Sequence, residues 1–312
     1  MLQHETLEAI KRSATIPSMP MVATRCYEMT QDAFCDYEKL VELLSTDPGI
    51  AADVLRLSNS ALFGVSRQVA SLQQAITLLG IKRIRELVLT RYLVQQMNGL
   101  ENSVIDIGYF WRRCLATAIL SAKFAETLSP DQRDEAFIGG LLADVGIMVL
   151  ARALPEVYQP IAENYRPQGP DNQTASESRE LGVTHGEVSA VVMEQWGLPE
   201  SLVKAVRYHH AAATEMPNDG TSYLMARIIG GAGAIAKILS EATEAEAAVA
   251  ACTNAMIRVN LNTNVLIRAL DGIDAEVRSM AELLKVEVLN NKLFAKLGRQ
   301  LVENLHAVEM VS

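Results

Sequence analysis

Residues 135–150 read EAFIGGLLADVGIMVL. Past Glu135 the stretch holds one charged side chain, Asp144, in the middle of an otherwise apolar helix. An ionised carboxylate in such surroundings is costly unless something pairs with it, so the reading turns on what Asp144 faces. His185, His209 and His210 lie downstream. With Asp144 they have the residue types of a metal or phosphate site. A structural ion pair or a helix-end contact is the other account of the same residues.

The composition around this stretch favours helices. The chain has 312 residues, 49% of them apolar but only 5% aromatic. Its core must therefore be built from Leu, Ile, Val, Ala and Met, a mixture that favours helix over strand. The length suits one large domain or two ordinary ones. A net charge of −9 argues against broad binding to nucleic acid or to an anionic membrane surface. Cys26, Cys35, Cys114 and Cys252 are far apart in sequence; without CxxC or metal-ligand spacing they read as buried thiols in a reducing compartment. The first residues, MLQHETLEAI, lack the basic start and apolar run of a signal peptide. No run of about 18 apolar residues suggests a membrane span, so a soluble, cytoplasmic protein is expected.

Capping and period place the helices. Asp47-Pro48 sets an N-cap before a proline at the first helical position, and Ser71 opens another helix. Gly80 then separates two helical stretches carrying Lys82, Arg83, Arg85 and Arg91. This unit has the outline of a DNA-reading helix-turn-helix, but the acidic whole favours a plain hairpin with a solvated basic face, and Lys82, Arg83 and Arg85 are expected to be exposed. Residues 98–103 form a polar break and 107–128 a long helix. Pro130 starts the helix that contains Asp144. Residues 166–178, RPQGPDNQTASES, have the composition of the least ordered segment. Thr184 can cap a helix over 185–196, and the next helix ends at His209-His210. Leu293, Leu297, Leu301 and Leu305 form a stripe on the last helix. No alternating strand pattern of useful length is present, and the expected fold class is all-α.

Several motifs together resemble one family. They are IPSMP at 16–20, LLSTDPGIAADVLRLSNSALFG at 43–64, SLQQAITLLGIKRIREL at 71–87, FWRRCLATA at 110–118, GLLADVGIMVL at 140–150 and THGEVSAVVMEQWGLPESLVKAVRYHH at 184–210. Over roughly residues 11–240 the chain is similar to HDOD proteins, a signalling branch of the HD superfamily of helical metal phosphohydrolases. The resemblance implies an N-terminal helical subdomain over 1–100, an HD-like helical subdomain over 101–240 and a C-terminal helical extension over 241–312.

The resemblance also implies a degenerate site. The HD superfamily uses a His on one helix, a His-Asp pair on the next and a later Asp. Here Arg113 stands in the first place, Ala143 precedes the retained Asp144, and Gly233 falls where the late Asp would be. His185, His209 and His210 match histidine positions that recur in the HD-GYP branch. Two imidazoles and a carboxylate are thus missing, and Arg113 brings a permanent cation. The remaining Asp144 and sequence-distant histidines are expected not to form the usual metal shell. The site is therefore expected to hold no metal or other cofactor and to be a structural relic, a pocket binding a nucleotide or small ligand without cutting it, or both. The implied function is bacterial signal transduction through a protein partner, with no membrane role. A phosphohydrolase of nucleotides or cyclic dinucleotides and a DNA-binding regulator are the alternatives. Because residues at the 113 and 144 positions grip one ion in the superfamily, a direct Arg113–Asp144 salt bridge is expected.

Overall fold

A computed structural model describes residues 6–8, 10, 16, 19–31, 35–59, 68–97, 104–166, 173–211, 220–241, 245–259, 263–286, 288 and 303. Among them there are helices and no strand, so the fold is all-α. The chain divides into two compact units. One holds residues 17–99 and 279–286, the other residues 1–16, 100–278 and 287–312. The polar break at 98–103 and the leucine stripe at 293–305 lie outside the described residues.

The smaller unit contains α1 (Met21–Gln31), α2 (Tyr37–Ser45), α3 (Pro48–Ser58), α4 (Leu72–Leu79) and α5 (Ile81–Met97). Their starts follow local chemistry. The side chains of Asp36, Asp47 and Ser71 each accept from backbone N–H groups of the helix they precede, which satisfies donors that have no partner within the helix. Ile50, Val54, Ile76, Ile84 and Val88 are fully buried. Lys82 and Arg83 are exposed, but the expectation for Arg85 is wrong. Arg85 is buried, donates to the Thr30 carbonyl at 3.2 Å and stands over the Tyr27 ring. It follows Ile84 onto the face that α5 turns toward α1, and its charge is met there by a carbonyl and a ring. Arg91 is also committed, pairing with the buried Asp53, which Arg56 holds at 2.8 Å. The basic face is therefore narrower than the residue count implied.

The larger unit is built on α6 (Ile107–Leu128). Every residue from Tyr109 to Ala122 on this helix is buried, the mark of a helix surrounded by others. Around it lie α7 (Arg133–Leu142), α13 (Gly220–Glu241) and α15 (Thr263–Leu270). Next come α8 (Val145–Ala153), α9 (Pro155–Ala162), α10 (Gln173–Leu181), α11 (His185–Gln195) and α12 (Glu200–Arg207), with α14 (Ala245–Val259) packed on α13.

The stretch around Asp144 is not one helix. A short 3-10 turn over Pro130–Gln132 leads into α7, which stops at Leu142; α8 restarts at Val145, with Ala143 and Asp144 in the turn between. That break aims Asp144 inward at a helix end. The segment over 166–178 also departs from expectation: residues 173–178 are helical and begin α10. Two segments, Pro130–Ala153 and Gly220–Glu241, do have the length and apolar composition of a membrane span, contrary to the sequence reading, but 89% and 56% of the most apolar 18-residue stretch in each is buried inside the fold. Their apolar faces form core.

Candidate functional site

The break between α7 and α8 is where the larger unit gathers its polar groups. α8 packs on α11, and the contact is close because Gly146 has no side chain: a Cβ there would fall 2.1 Å from the His185 carbonyl oxygen. Ser189 fastens the same junction, accepting from the Gly146 N–H at 2.8 Å and donating to the Ala143 carbonyl at 2.7 Å. On the other side Gly230 of α13 lies against the turn after α12, where a Cβ would meet the His209 carbonyl oxygen at 2.1 Å. Asp144, His185 and His209 thereby converge. Thr184 opens α11 with a reciprocal cap to Glu187 and sets His185 at the first helical position.

Asp144 is buried with its two oxygens facing different groups. Oδ2 lies 3.4 Å from an Arg113 guanidinium nitrogen and accepts from the Tyr165 hydroxyl at 2.8 Å. The expected Arg113–Asp144 salt bridge is thus present. Tyr109 and Tyr165 flank the guanidinium, with ring centres 5.7 and 4.6 Å from its carbon; cation–π attraction adds to the ion pair there. Tyr109 in turn bonds Glu241, which Lys237 holds at 2.6 Å. Oδ1 points the other way, 3.5 Å from His185 Nε2 and 3.8 Å from His209 Nε2.

Each histidine is oriented from behind. His185 Nδ1 lies 2.7 Å from Glu177 Oε2, and the His185 backbone N–H donates to the same oxygen at 2.7 Å. A carboxylate only accepts, so the His185 Nδ1 carries a proton. His209 Nδ1 lies 2.6 Å from the Val206 carbonyl and must also be protonated. The Nε2 atoms are left facing inward. His209 Nε2 is buried with no hydrogen-bond partner among the described residues. His185 Nε2 and His210 Nε2 stand 3.0 Å apart, so either one nitrogen carries a proton for the other or both lone pairs serve a cation.

The ligand atoms of Asp144, His185, His209 and His210 all lie within 4.8 Å of one another. Ligands bound to one ion at about 2.0–2.2 Å must sit roughly 3–4 Å apart, and the observed 3.0, 3.5 and 3.8 Å separations meet that need. Three imidazoles and a carboxylate suit a zinc-like ion. With the unpartnered His209 Nε2, the residues fit one divalent cation. The three histidines of the expected pocket thus stand beside Asp144. The other places are different. Ala143 contributes only its carbonyl, to Ser189. Gly233 faces the Thr117 side chain on α6 and brings no donor.

The electrostatics match the geometry. Burial alone would raise the Asp144 carboxyl, but Arg113, His209 and His185 outweigh it and hold Asp144 well below the usual range. Burial would likewise raise Glu177, and His185 with its other partners pulls it down. For His185 burial would lower the imidazole, yet the Glu177 carboxylate and then Asp144 raise it above its ordinary value. Enclosure of the His210 ring, with His209 and His185 beside it, pushes His210 down; because that residue is exposed, water offsets much of the push.

A pH dependence follows for chelator-treated protein. His185, raised in the folded state, contributes stability below about pH 6.5 that is lost as pH rises through its folded value. Asp144 and Glu177, lowered, contribute stability above about pH 4 that is lost as pH falls through their folded values. Melting temperature should therefore decline on both sides of a plateau at about pH 4–6.5. A His185→Gln variant should lack the alkaline decline, and thermal melts from pH 3 to 9 would check this.

Sequence reasoning missed Tyr158, Tyr165, Gln173 and Glu177. Glu177 is fully buried; its Oε1 accepts from Tyr158 at 2.6 Å and Gln173 at 2.9 Å. The available signals were the four-residue Gln173–Glu177 spacing of a helical pair and the nearness of Glu177 to His185 in the chain.

The family model described as the HDOD domain matches residues 16–212. An uncharacterized protein of Treponema pallidum (strain Nichols) is 24% identical over 198 residues, which cover 62% of this chain and 37% of that protein; the chain thus spans little more than a third of that curated relative. Among solved structures, a phosphohydrolase candidate from Shewanella amazonensis SB2B is 21% identical with a TM-score of 0.66, covering 93% of this chain and 99% of that one. A signal transduction protein candidate from Marinobacter aquaeolei VT8 is 19% identical with a TM-score of 0.68, covering 91% and 66%. An HDOD domain protein of unknown function from Geobacter sulfurreducens is 18% identical with a TM-score of 0.66, covering 90% and 98%. At these identities the structural likeness speaks to the fold.

Proposed function

The chain belongs to the HDOD domain family, and from that premise we propose that it is a bacterial signal-transduction module acting through contact with a protein partner. In this reading its HD-like site holds one divalent cation and does not hydrolyse phosphoesters by a two-ion route. The observation that carries the reading is the placement of Arg113. Its guanidinium, packed beside the Tyr109 and Tyr165 rings, occupies the Oδ2 side of Asp144. A second ion bridging to Asp144 would have to displace a permanent cation and would find no donor at Ala143 or Gly233.

Asp144, His185, His209 and His210 would hold the single ion. A bound divalent ion supplies Lewis-acid polarisation of an oxygen ligand. Arg113 and Tyr165 keep Asp144 turned so that Oδ1 faces the imidazoles, and the surrounding apolar helices limit water. Purified protein supplied with zinc or manganese is expected to show no turnover of generic phosphoesters or cyclic dinucleotides. Metal-dependent hydrolysis that disappears in Asp144→Ala would overturn the reading.

The four-donor cluster favours one second reading, a one-ion phosphohydrolase of nucleotides or cyclic dinucleotides, and the same assay decides between them. The DNA-binding alternative loses support from the burial of Arg85 and the pairing of Arg91 with Asp53.

A further inference from the structure

Behind His185, on the side away from Asp144, lies a second buried carboxylate that the proposed function does not use. Glu177 has no exposed surface. Among the described residues its hydrogen bonds all come from donors: Tyr158 Oη and Gln173 Nε2 on Oε1, and the His185 backbone N–H and Nδ1 on Oε2. It has no Lys or Arg partner among the described residues. A fully buried carboxylate without one is expensive, and a helix start needs only one acceptor for the His185 N–H. The arrangement is more than a cap, because the same oxygen also fixes a proton on Nδ1 and so leaves Nε2 as the ring nitrogen that faces Asp144, His209 and His210. A ligating histidine whose other nitrogen donates to a carboxylate is oriented and made a stronger donor.

We propose that Glu177, held by Tyr158 and Gln173, is a positioning residue that sets the His185 imidazole for a divalent ion bound by Asp144, His185, His209 and His210. This rests on the one-ion site of the proposed function. Glu177 itself does not touch the ion. Tyr158 and Gln173 act one step further back, fixing Oε1 so that Oε2 stays in line with the ring.

The test is zinc binding, with zinc chloride titrated against a chromophoric chelator, on the full chain and on Glu177→Gln and Tyr158→Phe. Each protein is also followed by the ¹⁵N signals of its imidazoles. Glu177→Gln keeps shape and an acceptor but removes the charge; it should weaken zinc binding about 10–100-fold and shift the His185 ring signals in the zinc-free protein. Tyr158→Phe leaves the charge in place and should give a smaller loss in the same direction, which keeps the proposal testable should Glu177→Gln fail to fold. Folded variants that bind zinc within about twofold of the parent, with unchanged His185 signals, would overturn it. If the parent takes up no zinc, the one-ion site fails and the proposed role falls with it. A shift of the His185 signals in Glu177→Gln would then still show that the two side chains are coupled, which separates failure of the ion site from failure of the Glu177 contact.

Discussion

Replacing Arg113 by alanine is expected to cost about 3–5 kcal/mol of stability, the usual penalty for stranding one member of a buried ion pair. The pair is well shielded, with side-chain exposures of 8% for Arg113 and 9% for Asp144. Arg113→Ala leaves Asp144 with the Tyr165 hydroxyl and the two nearby imidazoles. It also empties the space beside the Tyr109 and Tyr165 rings. The double change Arg113→Leu with Asp144→Leu removes both charges and refills much of the volume. It should recover a large part of the loss, since buried ion pairs are often replaceable by apolar residues. Recovery will be incomplete because the Tyr165 hydroxyl loses its acceptor. Urea unfolding of the parent, the single variant and the double variant would check this. An Arg113→Ala protein that unfolds like the parent would show that the pair holds nothing together.

Replacing Gly146 by alanine should be nearly as damaging, although it adds one methyl group. In an open helix this change stabilises, by up to about 1 kcal/mol, because glycine is a poor helix former. Here the new Cβ would lie 2.1 Å from the His185 carbonyl oxygen, 2.9 Å from its carbonyl carbon and 2.9 Å from the Ser189 nitrogen. All three are backbone atoms and cannot rotate aside. α8 must therefore back away from α11, breaking the Ser189 bridge and drawing Asp144 from His185. Overpacking typically costs about 1–3 kcal/mol, occasionally more, and a clash against rigid backbone belongs at the upper end. Gly220→Ala, where nothing lies within 4 Å of the added carbon, is the control and should melt at or slightly above the parent temperature. Zinc binding should weaken in Gly146→Ala and not in Gly220→Ala.

Much of this molecule was legible in the chain itself. Apolar composition without alternation called for helices, and Asp47-Pro48, Ser71 and Thr184 marked starts that the structure confirms. These are local signals: a cap and its helix lie within four residues of each other, so sequence alone contains both partners. The Arg113–Asp144 bridge was also anticipated, since a charge in an apolar stretch demands a counter-charge and the resemblance indicated where one stood. What the chain could not show was which face Arg85 would turn inward, or that residues 173–178 would join a helix. Composition describes a segment's average preference, and burial against another element can override it.

The site divides along the same line. Sequence by itself supplied the candidate donors, Asp144 and the histidines, and the resemblance implied the loss of others at Ala143 and Gly233. Tertiary structure alone decided that residues 144, 185, 209 and 210 meet within 4.8 Å. It also decided that Glu177, from a segment read as loosely ordered, stands behind His185. The physical reason is that convergence depends on how closely helices approach. Two glycines, Gly146 and Gly230, permit that approach by lacking a side chain, and a missing atom carries no signal in one sequence until its neighbours are known.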